Sequence, residues 1–137
     1  MNWKTRPKHF VEIRRANENG TFILVTRSDP YPGSDFRWDL EISSQEINNG
    51  DNERTLEIVL MRFQSNGSHK INGKFQCTTE NLKKKGNTFD FGNNSEFEVM
   101  SCSTAIKYTF LDYLNGGMDM NFVIGIDFTA SNGDGFL

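Results

Sequence analysis

His9 and His69, Cys77 and Cys102, and scattered lysines, arginines and carboxylates are what this chain offers for chemistry. Their spacing argues against catalysis. Both histidines stand among polar, loop-forming residues, and no Ser/His/Asp or Cys/His pattern surrounds either, so no base is placed beside a nucleophile. Gly116-Gly117 lacks the Lys and Ser/Thr that complete a phosphate-cradling loop. Met1-Asn2-Trp3-Lys4 opens no apolar leader, and nothing in the chain approaches the ~18 apolar residues of a spanning helix. A soluble cytosolic protein with free, reduced thiols is therefore expected. Asn-x-Ser/Thr triplets such as those at Asn19 and Asn66 then read as turn chemistry, and an enzyme is not expected.

The elements that must position these residues are strands. Phe10–Ile13, Thr21–Thr26, Trp38–Ile42, Thr55–Phe63, Glu96–Cys102 and Ala105–Leu111 are short runs rich in Phe, Ile, Val and Thr. Trp38–Ile42 alternates apolar and polar as a half-buried strand does. Between the runs lie turn-forming clusters: 16–20, 29–34, 48–52 and 64–68. Only Ser43–Ile47 and Thr79–Lys84 suggest a helical turn. With 137 residues, 36% of them hydrophobic and 12 of them Phe, the chain can close one core, and the pattern predicts an antiparallel sandwich. A net charge of -3 argues against a general nucleic-acid binder. Lys83-Lys84-Lys85 reads as a solvated loop.

Longer words in the sequence carry a resemblance. Thr109-Phe110-Leu111-Asp112-Tyr113, Gly116-Gly117 and the run from Asn121 to Asp134 resemble the entry into the von Willebrand A-type domain of copines, which are built as two C2 domains followed by an A domain. Asn17 to Phe22, Gly50-Asp51 with Arg54-Thr55, and Asn66-Gly67-Ser68-His69 with Gly73 resemble the second C2 domain of that family. The resemblance implies an all-β chain. A C2-type antiparallel sandwich lacking its first strand would occupy 1–106, and 107–137 would hold a linker and an orphan first strand of an α/β A domain.

Calcium-binding members of the family hold the ion with loop aspartates, because so hard a cation takes 6 to 8 oxygen ligands. Laid on that pattern, Lys8, Arg62, Gln64 and Lys70 fall where aspartates are expected. Three cations and a neutral amide thus replace four carboxylates, so a divalent cation is repelled and no cofactor is expected. His69 matches the family's Gly-Ser-His and is expected to order its loop by hydrogen bonding. The family relation implies a module peripheral to an anionic phospholipid surface, on the cytoplasmic side of the plasma membrane. Here the contact would be calcium-independent, made by Lys8, Arg62, Lys70 and Lys74 with help from Lys4 and Arg6. Phe63 and Phe10 would add apolar insertion. The alternatives are a protein-interaction module or a fragment without independent function.

Asp127, Thr129 and Ser131 fit the Asp-x-Ser/Thr-x-Ser form of the A-domain magnesium site. The remaining ligands of that site come from loops absent here, so no metal is expected. Met120–Phe128 has apolar residues for both faces and no A-domain sheet to join. It is expected to dock on the sandwich edge vacated by the missing strand, burying Phe122, Ile124 and Ile126 on one face.

Overall fold

Alternation along the strands decides how two sheets close on each other. A computed structural model describes residues 7–33, 35–92, 94–106 and 118–128. Among the described residues, nine strands and two short helices follow in the order β1 (Lys8–Ala16), β2 (Phe22–Arg27), β3 (Tyr31–Pro32), β4 (Asp35–Ser43), α1 (Ser44–Asn48), β5 (Leu56–Arg62), β6 (Lys70–Cys77), α2 (Thr79–Leu82), β7 (Thr88–Gly92), β8 (Ser95–Ile106) and β9 (Met118–Phe128). One sheet has the order β2-β1-β5-β6, with β3 paired to the start of β1, and the other has the order β4-β9-β8-β7. Every pairing is antiparallel. The molecule is an all-β antiparallel sandwich.

Val11 and Ile13 of β1 and Leu56, Ile58 and Leu60 of β5 point into the core from the first sheet. Trp38, Leu40 and Ile42 of β4 meet them from the second, while Arg37, Asp39 and Glu41 between them face solvent. Each such apolar side chain removed from water contributes roughly 2 kcal/mol. The helices are single turns held by reciprocal capping. Ser43 and Glu46 cap α1, and Thr78 and Asn81 cap α2. Each plants one apolar residue, Ile47 or Leu82, into the core.

Several expectations are corrected. β6 and β7 carry no strong strand signal: Asn72-Gly73 and two lysines make Lys70–Cys77 look like turn and solvent-exposed chain. β6 is an edge strand, however, and tolerates polar residues. Gly73 is needed because a Cβ there would lie 2.5 Å from the Phe91 carbonyl oxygen where β6 crosses to β7. Phe75 and Phe89 stack at 4.7 Å beside that crossing. Glu96–Cys102 and Ala105–Leu111 are not two runs: β8 is continuous to Ile106, with a bulge between Val99 and Ser101. Residues 107–117 lie outside the described residues.

β9 docks on the sandwich, though not at an edge. It lies between β4 and β8, paired from Asp35↔Asp127 to Ser43↔Asp119 on one side and from Ser95↔Phe128 to Ile106↔Met118 on the other. Met120, Phe122, Ile124 and Ile126 are buried on the inner face. The outer face is not apolar, since Asn121 and Asp127 are exposed and Val123 and Gly125 half-buried. Burial alternates along the strand although Val123 on the outer face is apolar, which makes this a sandwich strand with one wetter face.

Candidate functional site

Three of the expected basic residues meet at one end of the first sheet. Lys8 opens β1, and its carbonyl accepts a hydrogen bond from the Phe63 N–H at 2.9 Å. Next along β1, His9 stands opposite Arg62, and Arg62 stands opposite Lys70. Adjacent strands stand about 5 Å apart, so register brings Arg62 and Lys70 together on one face, while Lys8, one residue before His9, turns to the other face at the same end, and all three are exposed. Like charges so placed repel by about 1 to 4 kcal/mol at 4 Å in water or partial solvent, which turns the heads outward and disfavours a divalent cation between them. Among the described residues no three His, Cys, Asp or Glu side chains are gathered as a metal shell requires.

The hairpin between β5 and β6 is built by its own side chains. Gly67, at φ 87°, donates to the Gln64 carbonyl, and Asn66 Oδ1 accepts from the Ser68 N–H at 2.9 Å. Gln64 contributes its backbone, donating to His69 Nδ1 at 2.9 Å. His69 orders the loop in this way. Its ring also stacks on Phe63 with centroids 5.0 Å apart and meets Phe10 edge-on at the same distance. Arg27 covers Phe10 from β2, its guanidinium carbon 5.6 Å from the ring centre. Phe10 is therefore buried, packed with Val59 and Met61, and cannot insert into anything. Phe63 is 36% exposed and Ile71, beside Lys70, is 52% exposed.

Lys74 stands apart from the other three. Its Nζ is 3.7 Å from Glu57 in a network on the outer face of the first sheet, where Arg14 bridges Glu12 and Glu57 and Arg27 also reaches Glu12. Both glutamates are almost fully buried, so the cations serve to neutralise them. Glu12, Arg14 and Glu57 could be read in the sequence as alternating charges, but their meeting depends on a register the sequence does not print.

His9 is not a loop residue. It lies in β1, buried, with Nε2 2.9 Å from Asn72 Nδ2. Burial first, and the neighbouring Arg62 charge second, push its pKa down to about 4. Burial also pushes the Cys77 thiol up to about 12 and raises that of Cys102, so neither is a ready nucleophile. Asp127, next to last in β9, lies on the outer face of the second sheet, directly between Asp35 and Glu96, and Glu96 stands opposite Asp90. Thr129 and Ser131 lie outside the described residues, as do Lys4 and Arg6.

Comparison with known proteins finds relatives by sequence. Copine-A of Dictyostelium discoideum is 28% identical over 140 aligned positions that take in 92% of this chain, and BONZAI 2 of Arabidopsis thaliana, a member of the same family, is 31% identical over 147 positions that take in 91%. The chain is related to the copine family. It spans about a quarter of those copines, 23% and 24% of their lengths. No family profile and no solved structure gives a significant match. The copine relation covers nearly all of the chain, and so both the basic hairpin end and β9.

Proposed function

We propose that this chain is a non-catalytic module that docks on anionic phospholipid surfaces without calcium, at the cytoplasmic face of the plasma membrane. The observation that carries the reading is the pairing of Arg62 with Lys70 at the end of the first sheet where Lys8 also opens β1. Each such cation near an anionic leaflet is worth about 1 kcal/mol, and together they make a weak contact sensitive to salt. Exposed Phe63 and Ile71 on the same hairpin add apolar area that can enter the headgroup region. The copine relation supports a peripheral role, and the cations standing where carboxylates are expected support independence from calcium. No helix among the described residues is long and apolar enough to cross a membrane.

Co-sedimentation with vesicles tests this directly. Binding should require anionic lipid, be the same in calcium and in EGTA, and fall at least tenfold in Arg62→Asp/Lys70→Asp. Binding to neutral vesicles as strong as to anionic ones, or a requirement for calcium, would reject the proposal.

A further inference from the structure

At the opposite pole of the sandwich, a pocket of about 410 Å³ is lined by Arg15, Asn17, Glu18, Asn19, Asn49 and Arg54. It opens where β1 ends, between the β1–β2 loop and the turn that follows α1. What sets this pair apart among the described residues is half-burial without an ion pair, since Lys8, Arg62, Lys70, Lys84 and Lys85 also stand without one but are exposed. Arg14, Arg27, Arg37, Lys74 and Lys83 each lie within 4.0 Å of a carboxylate, whereas among the described residues Arg15 and Arg54 have no carboxylate that close. They are held instead by backbone. Arg15 Nη1 donates to the Glu46 carbonyl and Arg54 Nη1 to the Ala16 carbonyl, both at 3.0 Å. Each guanidinium is thereby fixed by one nitrogen, with its other donors left over.

One of those donors lacks a partner among the described residues. The Arg54 Nε–H is buried and has no acceptor. A buried donor on a charged group without an acceptor is costly, and a bound water or ion is what ordinarily satisfies it. Among the described residues that line it, two half-buried guanidiniums face one exposed carboxylate, that of Glu18, which leaves a net positive lining. Guanidinium forks match tetrahedral oxyanions in geometry, and a dianion gains more from two of them than a carboxylate does. The carboxamides of Asn17, Asn19 and Asn49 supply further polar lining.

We propose that Arg15 and Arg54 form a binding pocket for a phosphate monoester, separate from the basic hairpin end. The inference does not rest on the membrane reading. Inorganic phosphate and O-phosphoserine are the soluble probes, and vesicles containing phosphatidic acid test a lipid source of the same group. Titration of the full chain, followed by amide shifts in nuclear magnetic resonance, should show saturable changes at residues 15–20 and 49–54. The thermal midpoint should rise with phosphate and not with chloride at equal ionic strength. Arg54→Lys keeps the charge but loses the fork and the Nε donor, and should weaken binding at least tenfold. Arg15→Gln, whose lost bond is to an exposed carbonyl, serves as a second variant should Arg54→Lys fold poorly, and should weaken it similarly. In an Arg62→Asp/Lys70→Asp background, vesicle binding that depends on phosphatidic acid and on Arg15 identifies the lipid source, and its absence alongside soluble binding identifies the free one. Shifts confined to Lys8, Arg62 and Lys70, unchanged affinity in both variants, or no saturable binding would overturn the pocket.

Discussion

His9 shows how one side chain can tie stability to pH. In the unfolded chain it titrates near 6.5, and in the folded protein near 4, so folding favours its neutral form. A base held below its unfolded pKa contributes full stability above about pH 6.5. That stability is lost as pH falls toward 4, because the unfolded state takes up the proton first. The whole loss is at most on the order of 3 kcal/mol, since the folded protein holds the imidazole at about 4 against 6.5 in the unfolded chain. Urea unfolding of wild type and His9→Gln between pH 7.5 and 4 should give a difference that shrinks across this window. Parallel curves would mean that His9 is not the proton acceptor. The sequence offered His9 as a loop residue because Pro7 and Lys8 precede it, and only its pairing with Arg62 reveals a buried strand position.

Among the elements, β9 is the strand on which the second sheet depends. β4 reaches β8 and β7 only through it, so losing β9 would detach β4 with Trp38, Leu40 and Ile42. Phe122 is 1% exposed at the centre of that strand. Phe122→Ala should cost about 3 to 5 kcal/mol, as a large core cavity does, and should lower the single cooperative transition without splitting it. A second, earlier transition would show β9 to be an appendage. The apolar content of β9 and the face carrying Phe122, Ile124 and Ile126 were legible in the sequence, as were the alternation of β4 and both helical turns, though their capping residues were not. Its seat between β4 and β8 was not legible, because strand order is set by which inner faces interdigitate. β6 and β7 escaped notice because an edge strand needs only one hydrogen-bonded side and can keep lysines and Asn72-Gly73. At the site, Lys8, Arg62, Gln64 and Lys70 were found from a resemblance, and register then separated Lys74 from them.

For the whole molecule, charge is divided between the two sheets at the same end. β6 and β7 run side by side, with Gly73 against Phe91 and Phe75 on Phe89, so the Lys70 end lies next to the turn between β7 and β8. On the first sheet that end carries Lys8, Arg62 and Lys70. On the outer face of the second, Asp35, Asp127, Glu96 and Asp90 form an unbroken row of directly paired carboxylates across all four strands. Like charges opposite one another weaken a sheet, and near an anionic leaflet each is also repelled within a Debye length of about 8 Å. An upright pose on the membrane would bring the basic hairpin and the acidic row down together and cancel the attraction. The molecule should therefore tilt, with the first sheet toward the lipid and the second turned away, which leaves the Arg15/Arg54 pocket open at the far pole. Amide hydrogen exchange on anionic vesicles distinguishes the poses without any substitution. Exchange should slow in the hairpin from Gln64 to Lys70 and stay unchanged in the turn from Gly92 to Ser95. Slowing of both in equal measure would place the molecule upright, and would mean that the acidic row is neutralised by something other than distance.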